Sequence, residues 1–136
     1  MAKLVCVPPE PMWLQAMWTR ARPLVRWAVD ATDLCRLSEI EQAVLDGRSL
    51  LWLALENNEL MAVATTELRR TEHSLVCIIS SCAGRLGGEL HQLLDGIEDY
   101  ARAERCNYVR LFGRRGWSRK LKGRYVQRHV VLERRL

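Results

Sequence analysis

The stretch LVCIISSCAGRLGGELHQLLDGIEDYARAERCNYVRLF, from Leu75 to Phe112, decides the fold. Leu75 to Ser81 is apolar on both faces, as a strand in the middle of a sheet must be. Ala83 to Glu89 is rich in glycine. It opens a helix whose apolar face is Leu90, Leu94, Ile97 and Ala101, widened by Leu93 and Tyr100. Glu89, Gln92, Asp95, Asp99 and Arg102 oppose that face. Tyr108 to Phe112 is the next strand. The expected unit has Leu75–Ser81 and Tyr108–Phe112 as parallel neighbours, with a helix from about Gly88 to Arg105 packed across one face.

The turn between strand and helix also carries the first chemical signal. A helix N-terminus presents unpaired N–H groups and the positive end of the helix dipole, which together favour a phosphate. Glycines let the backbone come close to such an anion. The same composition also serves plain turns, so the signal stands only with its surroundings.

Toward the N-terminus, Leu60–Leu68 and Leu50–Leu55 are apolar runs joined through Glu56-Asn57-Asn58-Glu59. An Asn-Asn pair between two such runs predicts a hairpin. Arg69–His73 is a second polar turn. Leu37 to Gly47 reads as a helix, with Ser38 and Glu41 spaced as a capping box. Met12 to Val29 reads as another, with Trp13, Met17, Ala21, Leu24 and Ala28 on one face and Pro23 splitting or kinking it. Leu4–Val7 is a short first strand. Toward the C-terminus, Gly113–Gly123 is basic, with Trp117 and Leu121 spaced for one helical turn, and Tyr125–Leu132 is a last strand. The order β-α-α-β-β-β-α-β-α-β makes residues 1–136 one α/β domain around a mixed, twisted sheet.

Composition narrows the classes. Of 136 residues, 49% are apolar and 27% charged, which is globular and excludes a disordered chain. No apolar run is long enough to span a membrane, and the patch near the N-terminus, broken by Pro8 and Pro9, is too short for a signal-peptide core. The five cysteines lack CxxC spacing and the three histidines are scattered. The expectation is reduced thiols, a cytoplasmic protein and no metal. The net charge of +5 is unevenly spread, because Arg110 to Leu136 hold ten basic residues and one acid, Glu133. Such a segment suits nucleic acid, an acidic partner or a phosphorylated cofactor, or is simply a solvated surface.

The order of elements resembles the GNAT superfamily of N-acetyltransferases. In that family the fourth strand runs through an (Arg/Gln)-x-x-Gly-x-(Gly/Ala) loop into the third helix and fifth strand. The loop here reads Arg85-Leu86-Gly87-Gly88-Glu89-Leu90, and Glu98–Cys106 and Tyr108–Leu111 continue the likeness. Arg85 and Gly88 match the motif. Leu90 departs from it, standing where the family has glycine or alanine. Because Leu90 also begins the apolar stripe, it is expected to point into the core.

The resemblance implies acetyl-CoA or another acyl-CoA as co-substrate, without a metal, and an amine-bearing acceptor. Arg85, Leu86, Gly87, Gly88 and Glu89 would hold the pyrophosphate, with Ser81 and Cys82 near the thioester. A base and an acid are needed. Glu67 is the base candidate, set against a surface carboxylate beside Arg69 and Arg70. Tyr125 is the acid candidate, set against a packing role. Cys82 has no nameable neighbouring base, so a covalent mechanism is not expected. The compact chain, with the GRRGW run at Gly113–Trp117, also looks like those encoded among phage and prophage genes.

Two other readings stay open. One is a GNAT fold kept for binding or structure, with a protein partner or as a homodimer. The other is weak nucleic-acid binding through the basic segment, where Trp117 among Arg114, Arg115, Arg119 and Lys120 would stack on bases. Against it stands a Trp117 packed in the core.

Overall fold

The computed structural model describes residues 2–84 and 88–136. Five strands form one sheet in the order β1-β2-β3-β4-β5, namely β1 (Lys3–Cys6), β2 (Leu50–Glu56), β3 (Glu59–Arg70), β4 (Leu75–Gly84) and β5 (Tyr108–Leu111). The first three pairings are antiparallel, and β4–β5 is parallel, with Val76 opposite Tyr108 and Ile79 opposite Leu111. This mixed sheet with the expected parallel pair follows from β4 being apolar on both faces. The β2–β3 hairpin turns at Asn57 and Asn58, with φ of 50° and 61°. Asparagine tolerates that left-handed backbone better than most residues do, which is why the pair marks the turn.

Helices α1 (Pro11–Thr32) and α2 (Leu37–Leu45) cover one face, and α3 (Gly88–Ala103) covers the other. On α3, Leu93, Leu94 and Ile97 are each 0% exposed. Full burial of each such side chain stabilises by roughly 1.5–3 kcal/mol. Tyr100 meets Trp52 edge-on, with ring centroids 5.6 Å apart. Leu90 is buried in the same cluster, with its side chain in the core as its place in the stripe implies.

Several expectations need correction. Helix α1 runs unbroken through Pro23, because the flanking Ala21 and Val25 are both 0% exposed and anchor the two halves to the same core. Its buried face is Leu14, Met17, Trp18, Ala21, Val25 and Val29. The expected face was rotated, and Trp13 is exposed. Ser38 and Glu41 form no capping box, since α2 begins at Leu37 after Arg36 with no side-chain cap. Glu41 is used between helices instead, accepting from Trp18 Nε1 at 2.6 Å and Arg22 Nε at 3.1 Å. The Trp18 bond, more than Arg22, lowers its carboxyl pKa.

The last strand, Tyr125–Leu132, does not form. A strand needs a ladder partner for its backbone groups. The chain is held at Arg124 and Tyr125 by α3, after which residues 126–136 run without regular structure. The expected helical turn exists as α4 (Gly116–Lys120).

Candidate functional site

The site begins with an irregularity in β4. Thr65 pairs with Ser81 and Thr66 with Ile79, so Ser80 is an extra residue. Such a bulge shifts the side-chain alternation by one position. Cys77 and Ile79 face α3 before it, and Cys82 faces α3 after it. Ile79 is also the last β4 residue with a β5 partner. The contact there is already long, with Phe112 N–H donating to Ile79 O at 3.5 Å. Beyond it β4 continues to Gly84 beside β3, while β5 ends at Leu111.

Three hydroxyls hold the bulge. Thr65 Oγ1 lies 2.8 Å from Ser80 Oγ and 2.6 Å from Ser81 Oγ, and Ser80 Oγ is 3.2 Å from Thr65 O as its donor. One proton direction satisfies all of these contacts. Ser81 donates to Thr65, Thr65 donates to Ser80, and Ser80 donates to the carbonyl. The hydroxyl protons are then spent inside the chain.

Next to the bulge is a cavity of about 850 Å³. Its floor is β3 and β4, with Glu67, Ile78, Ser80, Ser81 and Cys82. Its walls are the end of α1, helix α2 and the turn after β5, where Phe112, Gly113, Arg114 and Trp117 contribute, and Val131 of the irregular segment reaches it. Glu67 is paired with Arg69 at 2.6 Å, as the surface-carboxylate reading implied, and it nonetheless lines the cavity. Burial pushes the Cys82 thiol up to about 12, with nearby Lys120 pulling slightly the other way. At neutral pH it is therefore a protonated thiol and a poor nucleophile.

Tyr125 lies elsewhere. It packs against the α3-face cluster, and its hydroxyl donates to Glu98 Oε2 at 2.8 Å. Burial first, then that bond, raises its phenol pKa. Arg124 joins the same group, 2.9 Å from Glu98 and 2.6 Å from Asp95. The structure thus brings Glu67, Ser81 and Cys82 to one cavity and sets Tyr125 on α3. Gly88 and Glu89 open α3. Arg85, Leu86 and Gly87 lie outside the described residues. Trp117 is 9% exposed and packs into the α3-face core, with Lys120 Nζ 5.1 Å from its ring. Gly113 makes room for it, since a Cβ there would sit 2.5 Å from Trp117 Cδ1.

Sequence reading missed Thr65, the place of Arg114 in the cavity lining and its contact with Trp27. The Arg114 guanidinium carbon stands 4.1 Å from the Trp27 ring centroid, bridging α1 to the turn after β5. The basic run around Arg114 was visible, but nothing in the sequence announces its partner 87 positions earlier. Among the described residues, no group of three or more His, Cys, Asp or Glu side chains is placed to hold a metal, and no helix is long and apolar enough to cross a membrane.

No family model and no curated protein matches the sequence. Solved structures do match the shape. An aminoglycoside acetyltransferase from an uncultured soil metagenomic sample, in complex with sisomicin, aligns with a TM-score of 0.72 at 11% identity, over 99% of this chain and 96% of that one. A ribosomal-protein-alanine N-acetyltransferase from Brucella melitensis biovar Abortus 2308 gives 0.69 at 12% identity, over 100% and 98%. A GNAT family acetyltransferase from Staphylococcus aureus gives 0.64 at 11% identity, over 99% and 98%. With TM-scores of 0.64 to 0.72 along nearly the whole of each chain, the protein has the fold of the GNAT acetyltransferases.

Proposed function

We propose that the chain is an acyl-CoA-dependent N-acyltransferase that passes an acetyl group from acetyl-CoA to an amine. The observation that supports this is the end of the β4–β5 ladder at Ile79 beside a cavity of about 850 Å³, on a GNAT fold. In this reading the opening after Ile79 admits the pantetheine arm. Arg85, Leu86, Gly87, Gly88 and Glu89 hold the pyrophosphate at the start of α3, where free amides and the helix dipole favour an anion. The burial of Leu90 fits this, because its side chain is spent in the core.

The thioester supplies the acyl group, and its sulfur departs as a thiolate. The nucleophile is the acceptor amine, since Cys82 stays a thiol. Glu67 is proposed to take the amine proton as the C–N bond forms and the C–S bond breaks. Ser81 and Cys82 line the acyl end. Tyr125 as the acid would have to give up its bond to Glu98 before it could protonate the thiolate. The five cysteines, all free, suit a cytoplasmic compartment.

That committed hydroxyl favours a second reading, a GNAT fold that binds acyl-CoA without turnover. Thiol release from acetyl-CoA in the presence of a panel of amines separates the two. The enzyme reading expects turnover that falls about 100-fold or more in Glu67→Gln, with acetyl-CoA affinity retained. Thiol release in Glu67→Gln equal to wild type would remove Glu67 from the mechanism. Acetyl-CoA binding with no amine-dependent release would establish the second reading.

A further inference from the structure

The cavity carries a charge pattern that the acyl-transfer reading does not use. Its lining includes Arg48, Arg69 and Arg114. Arg69 is neutralised by Glu67 at 2.6 Å, and Arg48 by Asp46 at 3.3 Å. Among the described residues, no carboxylate lies within ion-pair distance of Arg114. Its contact is the face of Trp27, 4.1 Å away. Stacking uses the flat face of a guanidinium and leaves its N–H edge free for a planar anion. The other lining carboxylate, Glu39, sits in the first turn of α2, where the helix dipole offsets its charge.

A second observation points the same way. A smaller recess of about 360 Å³ shares Arg114 and Trp117 with the cavity and is otherwise lined by Arg115, Gly116 and Lys120. Three cations meet there with no acid in the lining. Gly113 and the buried Trp117 fix the turn that carries them. The positive potential is therefore held at one end of the cavity by packed side chains.

We infer that Arg114, which lines the cavity and is held over the Trp27 ring, is a specificity residue that selects an amine acceptor bearing an anionic group, a carboxylate or a phosphate. The inference rests on the acyltransferase reading and deepens it. The anion meets the guanidinium edge at the Arg114–Arg115–Lys120 end, which leaves the acceptor's amine to reach the β4 bulge. Trp27 positions the guanidinium and itself contacts no acceptor atom.

The test is a set of matched pairs with acetyl-CoA as donor, read by thiol release. Each standard amino acid is compared with its C-terminal amide, and phosphoethanolamine with ethanolamine, which separates carboxylate from phosphate. The quantity read is kcat/KM for the anionic member over that for its neutral partner. For at least one class it is expected to exceed about tenfold in wild type and to fall near unity in Arg114→Gln. Arg114→Lys keeps the charge without the planar fork and should give an intermediate ratio, as should Trp27→Leu. A wild-type ratio near one, a ratio unchanged in Arg114→Gln, or an Arg114→Gln defect confined to acetyl-CoA affinity would each overturn the inference. So would acetyl-CoA binding without turnover of any anionic amine. Absence of acetyl-CoA binding in wild type would instead remove the acyltransferase reading itself.

Discussion

From Val76 to Ala83 β4 is buried at every position but the half-buried bulge residue Ser80, yet its two halves are partnered differently. From Val76 to Ile79 the strand is paired on both edges, and no residue is more than 3% exposed. From Ser81 to Ala83 exposure is still 5% or less, yet the pairing is with β3 alone. The first half is Val-Cys-Ile-Ile, and the second begins Ser-Ser. Burial therefore separates the halves little. What sets the second half apart is the loss of its β5 neighbour, together with the hydroxyls that hold the bulge in place.

The contrast makes different demands on the two halves, beginning with stability. Ile79→Ala in the closed half should cost about 2–5 kcal/mol, because the side chain is fully packed between β3 and α3. Urea unfolding measures it. A cost under about 1 kcal/mol would mean that the closed half is not the structural anchor.

Thr65→Val tests the open half. It keeps the shape and removes the hydroxyl shared by Ser80 and Ser81. Leaving such partners unsatisfied costs about 1–3 kcal/mol. Unlike Ile79→Ala, it should also disturb ligand binding, because the bulge sets where Ser81 and Cys82 stand. Equal effects on stability with no effect on binding would erase the functional distinction between the halves.

Per pH unit, the smallest effect concerns protons. Burial raises the Cys82 thiol from about 9 to about 12. The folded state therefore holds this proton more tightly than the unfolded state does. Its contribution is complete below pH 9 and is lost as pH rises from about 9 toward 12. Stability should fall in that window by on the order of 1 kcal/mol per pH unit from this thiol. Cys82→Ala should reduce the slope above pH 9, leaving the share of Cys77, whose thiol burial also pushes up to about 12. A slope unchanged by that substitution would place the thiol in contact with water.

Much of this arrangement was legible in the sequence, for identifiable reasons. The doubly apolar Leu75–Ser81 run and the Leu90/Leu94/Ile97 stripe encode the parallel pair and its covering helix, since both patterns are burial written as periodicity. Asn57-Asn58 encodes the hairpin through backbone tolerance. The α1 face was misread because Trp13 and Leu24 look as apolar as Leu14 and Val25, and only the tertiary setting chooses between them. The last strand was misread because Tyr125–Leu132 has strand composition but, in the fold, no strand beside it. Glu67, Ser81 and Cys82, which line the cavity, could be named from the family resemblance together with their place on strands. Thr65 could not, because a bulge leaves no signature in a single sequence. The Trp27–Arg114 stack joins residues far apart in the chain, so no local pattern reveals it.

The central claim is that a CoA thioester binds where β4 loses β5, with its pyrophosphate at the start of α3. A calorimetric titration of acetyl-CoA and of free CoA into wild type and Gly88→Asp tests it most directly. Asp at position 88 places bulk and negative charge at the helix N-terminus proposed to receive the phosphates. The account predicts one-to-one binding of both ligands to wild type and loss of both in a Gly88→Asp protein that keeps the wild-type unfolding transition. No binding to wild type, or equal binding to both proteins, would contradict it.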